Sequence, residues 1–282
     1  MYRLVAYDLD GTLINKEQQI PESAFKAMRK LDENGVVNIL TTGRSFYVVP
    51  KSLSECANLR YGVLSSGGRI YNYTNQNEEF HGIMSNGEAK AIADLVHEYN
   101  GSALAFFKNG VTYEKNILNT VRSRIVEMRR QEGVKDIYVV DDVIESLLIL
   151  EGMEKMTIEY DHKYQKEIER KLNELGEYEI ISQVLTMANV GDDGEKYVAT
   201  EINRKGITKG FGLEKICKEL NIDIKDTIAI GDSENDIPVM KKAGFSIAMG
   251  NGSIPAKESA DFVTRDIDND GILYAIDKVF GF

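Results

Sequence analysis

A short apolar run, Leu4-Val5-Ala6-Tyr7, stops abruptly at Asp8-Leu9-Asp10-Gly11-Thr12, and the same arrangement returns near the other end of the chain as Ile228-Ala229-Ile230-Gly231-Asp232. Runs of this length without polar alternation are buried on both faces, as the strands of a parallel sheet are. Each run ends in carboxylates. Carboxylates brought together repel one another, so a fold gathers them only where a cation, usually Mg²⁺, neutralises the cluster.

The residues between these runs extend the pattern. Pro21-Glu22-Ser23 opens a helix that Asn34-Gly35 closes, with Phe25, Met28 and Leu31 at helical spacing. A second buried strand, Val36 to Leu40, runs into Thr41-Thr42-Gly43-Arg44. A helix over roughly Ser45 to Cys56, despite Pro50, precedes a third strand, Tyr61 to Leu64, which reaches Ser65-Ser66-Gly67-Gly68. Toward the other end come a helix from about Thr208 through Leu220, strand Thr227 to Ile230 and the loop Gly231 to Asp236. A helix through Met240 and Lys242 follows, then strands Phe245 to Met249 and Phe262-Val263. Strands alternating with helices predict a parallel sheet covered on both faces, with the reactive crevice at the carboxyl ends of its strands.

From about residue 83 to 203 the grammar changes. Helix Glu88 to Tyr99 leads to strands Ala103 to Phe107 and Val111 to Tyr113 around Asn109-Gly110, a hairpin signal. A helix near Asn119 to Gln131, strands around Ile137 and Met156 to Tyr160, and helix Lys163 to Leu175 come next. Strands Tyr178 to Ser182 and Lys196 to Ile202 flank the turn-rich Gly191-Asp192-Asp193-Gly194. The expectation is an α/β chain of two domains: a core of residues 1–82 and 204–282, and an inserted α+β domain of residues 83–203 lying over the core's strand ends.

Composition narrows the function classes. A formal charge of −11 argues against general adhesion to nucleic acid or anionic lipid, which need a basic footprint. Apolar stretches are strand-length, and Met1-Tyr2-Arg3 leads straight into a strand rather than a signal peptide, so no membrane span and a cytoplasmic location are expected. Two distant cysteines, Cys56 and Cys217, indicate neither a disulfide framework nor a zinc site, and three histidines give little support to a histidine triad.

Taken alone, Asp-x-Asp-Gly is as readily a polar turn or calcium loop. An EF-hand would need its glycine at loop position six and a helix before it. Taken in order, Asp-Leu-Asp-Gly-Thr, Thr-Gly-Arg, Gly-Ile-Thr-Lys-Gly, Gly-Asp-Ser-Glu-Asn-Asp and Ala-Met-Gly-Asn resemble the motifs of the haloacid dehalogenase superfamily. The insertion between the second and third motifs resembles that of its Cof-type phosphatases. The resemblance implies a Rossmann-like core with an α+β cap that sets specificity. It also implies a Mg²⁺-dependent phosphatase acting on a small phosphorylated metabolite, a sugar phosphate or phosphorylated cofactor, through an aspartyl-phosphate.

Carried over, Asp8 is the nucleophile and Asp10 the general acid and then base. Asp8, the backbone carbonyl of Asp10, and Asp232 hold the metal. The backbone of Leu9, Thr42 with Gly43, Lys209 and Asn235 grip the phosphoryl oxygens, and Asp236 completes the metal's outer shell or orients Lys209. Arg44 either binds phosphate or pairs with an acid at the surface. Asn251 either steadies the catalytic loops or makes a turn, the turn being the simpler reading. Where many relatives carry Asn-Gly after the third strand, this chain has Gly67-Gly68. Phe106, Phe107, Tyr113 and Tyr138 read as core of the insertion. Arg122, Arg124, Arg129 and Arg130 form a basic helix face that either salt-bridges or faces a cleft. Rival readings are a phosphomutase of the same fold, a receiver-like switch, and a protein that binds a phosphorylated ligand without turnover. Asp10 and the insertion count against the receiver.

Overall fold

The computed structural model describes residues 1–56, 58–116, 127, 130, 131, 133–184 and 197–281, which fall into two compact units. The first comprises residues 1–43, 50–79 and 208–282; the second comprises residues 44–49 and 80–207. Residues 44–49, read above as part of the core domain, therefore group with the second unit. The helix near Asn119 to Gln131, with Arg122, Arg124 and Arg129, lies largely outside the described residues, as does the turn at 191–194.

The first unit is built on β1 (Leu4–Tyr7), β2 (Val37–Thr41), β3 (Leu59–Leu64), β4 (Arg69–Asn72), β5 (Glu78–Phe80), and, after the insertion, β12 (Thr227–Gly231), β13 (Phe245–Ala248) and β14 (Phe262–Val263). Their order in the sheet is β14-β13-β12-β1-β2-β3-β4-β5. Neighbours from β14 to β3 are parallel, and β4 returns antiparallel to β3. The order runs one way from β1 through β2 and β3 and the other way through β12 to β14. The switch point lies between β1 and β12, where open α/β sheets leave a crevice at the carboxyl ends. All four residues of β1 are buried, as the unbroken apolar run requires.

Helix α1 (Glu22–Glu33) places Ala24, Ala27, Met28 and Leu31 on its buried side, the i, i+3, i+4, i+7 stripe of an amphipathic helix. The expected helix over Ser45 to Cys56 is not continuous. Pro50 has no N–H to donate and forces its predecessor out of the helical region, so a 3₁₀ turn over Phe46–Val48 ends before it and a short helix, α2 (Lys51–Ser54), starts after it.

The second unit holds a six-stranded sheet of β6 (Ser102–Phe107), β7 (Gly110–Glu114), β8 (Ile137–Val140), β9 (Met153–Asp161), β10 (Tyr178–Val184) and β11 (Tyr197–Arg204), ordered β10-β11-β9-β6-β7-β8. The Asn109-Gly110 signal is a true hairpin, with Phe107 paired to Gly110 across a two-residue turn. Helices α3 (Asn86–His97) and α4 (Gln165–Leu175) cover one face over a core that includes Ala105, Phe107, Met156 and Ile158. Ser85 and Glu88 form a reciprocal capping box at the start of α3. On the other face Leu104, Phe106, Val111, Tyr113 and Ile137 pack with Val48, which explains why residues 44–49 belong to this unit. The aromatic residues read as core, Phe106, Phe107 and Tyr113, are buried, and Tyr138 packs against the core.

After the insertion come α5 (Lys209–Leu220), α6 (Ile237–Lys242), α7 (Ile254–Ser259) and α8 (Gly271–Phe280), the last packing on α1. Among the described residues no helix is long and apolar enough to cross a membrane. Gly212 marks where α5 lies closest to the sheet: a Cβ there would stand 2.3 Å from Val63 Cγ1. Alanine gains up to about 1 kcal/mol over glycine in a helix, but overpacking a β-branched residue fixed in a central strand costs typically about 1–3 kcal/mol. Gly212→Ala should therefore lower the urea midpoint of unfolding; a raised midpoint would mean that α5 can move off the sheet.

Candidate active site

Asp8 follows β1 directly, and its N–H donates to Ile230 O at 2.8 Å, so it continues the ladder with β12 for one more step. The chain then turns tightly, Leu9 O accepting the N–H groups of Leu13 and Ile14 at 2.9 and 2.8 Å. Gly11 makes the turn possible twice over. Its φ is +83°, in the left-handed region, and a Cβ would lie 2.3 Å from Asp232 Oδ2. Asp232, at the end of β12, is thereby held against the first loop. Asp10 is exposed at the same loop.

Lys209 begins α5, whose start is capped by Thr208 Oγ1 accepting from Phe211 N–H at 3.1 Å. Its ammonium is 2% exposed and lies 2.5 Å from Asp8 Oδ1 and 2.5 Å from Asp236 Oδ1, with Asn235 Oδ1 at 3.4 Å. Asp236 is fully engaged: Oδ1 takes Lys209, and Oδ2 accepts the N–H groups of Asp232 and Ser233 at 3.0 and 3.1 Å. Asp236 thus braces the Lys209 ammonium against the backbone of the loop after β12. Ser233 Oγ donates to Asn235 Oδ1 at 2.7 Å, setting that amide beside the ammonium.

Thr42 sits at the end of β2, 1% exposed, its N–H donating to Val63 O and its carbonyl accepting from Ser66 N–H. Both backbone groups are thus engaged, which fixes the residue at the carboxyl end of β2. Asn251 Nδ2 donates to Gly11 O at 2.8 Å, while its Oδ1 accepts from Ile267 N–H at 2.9 Å. It lies in a turn, and its side chain bridges the first loop to the segment at Ile267. Arg44 is buried in the second unit and donates to Val48 O at 3.2 Å, so it is not a surface group.

Sequence reasoning noted the glycines of the loop after β3 but not its backbone conformation. Ser65 and Ser66 both have positive φ, 50° and 56°, and Gly67 follows at 112°. Strained non-glycine backbone of this kind persists only where surrounding structure holds it. What holds it is Thr42, whose carbonyl takes Ser66 N–H, and Thr208, whose carbonyl oxygen would be 2.5 Å from a Cβ at position 67. No side chain fits at 67 in this backbone. The two consecutive glycines after a buried strand were the available signal.

The carboxylates of Asp8, Asp232 and Asp236 each offer an oxygen within 4.8 Å of the others. Burial raises the Asp8 carboxyl well above the usual carboxylate range, Asp236 adds to the rise, and Lys209 opposes it. Burial, then the charge of Asp236, pushes Asp232 up to about 7, against the lowering by Lys209. Burial alone would lower the Lys209 ammonium, yet Asp236 and Asp8 on either side hold it charged. One cation among three carboxylates leaves excess negative charge. Asp236 already uses both oxygens on protein donors, Oδ1 on Lys209 and Oδ2 on two backbone N–H groups, whereas Asp232 Oδ1 is buried without a hydrogen-bond partner. A hard, all-oxygen set of Asp8 and Asp232 with an orphaned acceptor fits a divalent ion such as Mg²⁺.

A family model of haloacid dehalogenase-like hydrolases matches residues 5–276. The chain belongs to that family. It is 27% identical to the 5-amino-6-(5-phospho-D-ribitylamino)uracil phosphatase YcsE of Bacillus subtilis (97% of this chain, 94% of the relative). It is 25% identical to the phosphoglycolate phosphatase of Methanobrevibacter smithii, with 97% of each covered. Its fold superimposes on that of the subclass IIB sugar phosphatase BT4131 with a TM-score of 0.80 at 22% identity, over 99% of each chain. These named relatives are phosphatases, as the ordered motifs led us to expect of this chain, and the Rossmann-like core with an inserted α+β unit agrees with the fold expected.

Because Asp232 holds a proton below about pH 7, an ion that needs its carboxylate must displace that proton. Affinity for a divalent ion such as Mg²⁺ should therefore fall as the pH is lowered through 7, by about tenfold per unit or more because the raised Asp8 carboxyl must give up its proton as well, with proton uptake by the buffer. Calorimetric titration at about pH 6 and 8 checks this; equal affinities would separate Asp232 from the metal.

Proposed function

We propose that this phosphatase hydrolyses the monoester of a small phosphorylated metabolite, a sugar phosphate or phosphorylated cofactor, with Mg²⁺ and through an aspartyl-phosphate on Asp8. The observation that carries the reading is the buried Lys209 ammonium clamped between Asp8 and Asp236, with Asp232 beside them. A carboxylate nucleophile is useless against a phosphate dianion unless fixed positive charge first offsets the repulsion, and the same charge then stabilises the equatorial oxygens as the transition state forms.

In this mechanism Asp8 and Asp232, with the Asp10 carbonyl, would hold the ion. When bound, Mg²⁺ screens the incoming phosphoryl group and draws charge from its oxygens. Lys209, Asn235, the Thr42 hydroxyl and the backbone of Leu9 and Gly43 orient the phosphoryl group. An Asp8 oxygen attacks phosphorus in line with the ester oxygen; the O–P bond to Asp8 forms as the ester O–P bond breaks. Asp10, exposed two residues beyond the nucleophile, gives its proton to the departing alkoxide, which leaves as the alcohol. Asp10, now a carboxylate, takes a proton from water, and the hydroxide attacks phosphorus to release inorganic phosphate and restore Asp8.

The relatives named as phosphatases of a ribitylamino-uracil phosphate and of phosphoglycolate differ in leaving group while sharing the phosphoryl end. We assign the choice of leaving group to the inserted unit for that reason, and place the enzyme in the cytoplasm. Its substrates are small phosphorylated molecules rather than nucleic acid or membranes, in keeping with its net charge of −11.

Asp8→Asn should abolish phosphate release from a panel of sugar phosphates, nucleotides, pyridoxal phosphate and flavin mononucleotide while the circular dichroism spectrum is retained. Near-normal turnover by this variant would remove the nucleophile assignment. Asp10→Asn should slow first-turnover release of alcohol from alkyl phosphates by about 10²–10⁴-fold and first-turnover release of nitrophenolate from p-nitrophenyl phosphate much less, because nitrophenolate leaves without a proton, whereas the later attack of water slows alike for both. An equal loss on both would deny Asp10 the acid role. Free alcohol and inorganic phosphate as sole products would exclude the phosphomutase.

A further inference from the structure

A second group of metal-ligating side chains lies in the inserted unit, apart from the catalytic acids. His97 ends α3, Glu114 ends β7, and Asp142 follows β8. Ligand atoms of the three lie within 4.8 Å of one another, His97 Nε2 being 2.8 Å from Glu114 Oε1. We propose that His97, Glu114 and Asp142 form a binding site for a divalent transition-metal ion of the zinc class.

The carboxylates are already oriented. Glu114, 1% exposed, accepts Ala103 N–H on Oε2 and Val143 N–H on Oε1, both at 2.8 Å. Asp142 Oδ1 accepts Ile144 N–H at 2.8 Å as the cap of the 3₁₀ turn Val143–Leu148, leaving Oδ2 for an ion. Backbone donors thus fill the role that outer-shell partners play in metal sites, holding each ligand before the ion arrives. Each Glu114 oxygen has two lone pairs, so its backbone bonds leave room for a metal bond. With bonds of about 2.0–2.2 Å, an ion sets its ligand atoms roughly 3–4 Å apart, a range these side chains bracket.

A histidine–carboxylate hydrogen bond accounts for His97 and Glu114 but not for Asp142. Among the described residues, the ion-pair partner of Glu114 is His97, and Asp142 has none. A divalent ion satisfies both acids and leaves the imidazole neutral. Entry is open, because the His97 side chain is 30% exposed and Asp142 is half-buried; water would complete four-coordination. The nitrogen ligand separates this site from the catalytic one: one nitrogen with two oxygens favours Zn²⁺ or Co²⁺, whereas the all-oxygen catalytic set suits Mg²⁺. Bound metal would join the end of α3 to the ends of β7 and β8, stiffening the inserted unit at a point far from phosphoryl transfer in chemistry and in sequence.

The test is Zn²⁺ binding by the chelator-stripped full chain in millimolar Mg²⁺, measured by competition with a chromophoric chelator. One equivalent should bind to the wild type and to Asp232→Asn, and should weaken at least about tenfold in both His97→Gln and Asp142→Asn. Asp142→Asn keeps an oxygen for Ile144 N–H, so its loss of binding cannot be put down to unfolding of the turn. Absence of binding, retention in either of those two variants, or loss in Asp232→Asn would overturn the site. None of these readouts involves turnover, so the result stands apart from the catalytic assignment.

Discussion

The ammonium of Lys209, out of contact with solvent and shared by Asp8 and Asp236, is the interaction around which the first unit is arranged. A charge so placed is tolerated only when its partners are equally well placed; stripping away one partner of a buried pair typically costs about 3–5 kcal/mol. Here the partners come from the end of β1 and the loop after β12, and the lysine from the first turn of α5. The pair therefore binds three distant parts of the chain together. Its excess negative charge is also the reason the cluster invites a further cation, so stability of the apo protein and affinity for metal are set by the same electrostatic imbalance.

Much of this was readable from residue order because the local signals agreed with the tertiary outcome. Uniformly apolar runs became central strands, Thr208 became a cap, Asn109-Gly110 became a hairpin, and the motif carboxylates met where the strand order reverses. The misreading of 45–56 has the opposite cause. One helix was expected there despite Pro50, but Val48 packs in the second unit and Pro50 separates the two pieces. Strands β4 and β5 escaped because Arg69, buried at 2%, and the acids of β5 do not look like sheet interior. Helices α7 and α8 were likewise passed over.

The fine geometry of the site was less legible, since it rests on what is missing. Gly11, Gly67 and Gly231 each leave a space that an Asp232 carboxylate, a Thr208 carbonyl or the Asp236 side chain fills. A sequence records such a glycine but not its occupant. The left-handed Ser65 and Ser66 carry no compositional mark at all; only the Ser66 N–H bond to the Thr42 carbonyl and the approach of Gly67 to the Thr208 carbonyl reveal that this loop braces the end of β2 and the start of α5 at once.

The pairing of β1 with β12 puts Tyr7 opposite Ile230, so the two acidic loops begin one inter-strand spacing apart, about 4.8 Å. That separation is fixed by a hydrogen-bond lattice and owes nothing to the length or shape of the polypeptide that joins the strands. An inserted module can be lengthened, exchanged or remodelled while the reactive oxygens keep their mutual positions, which lets one chemical engine be fitted with many different front ends.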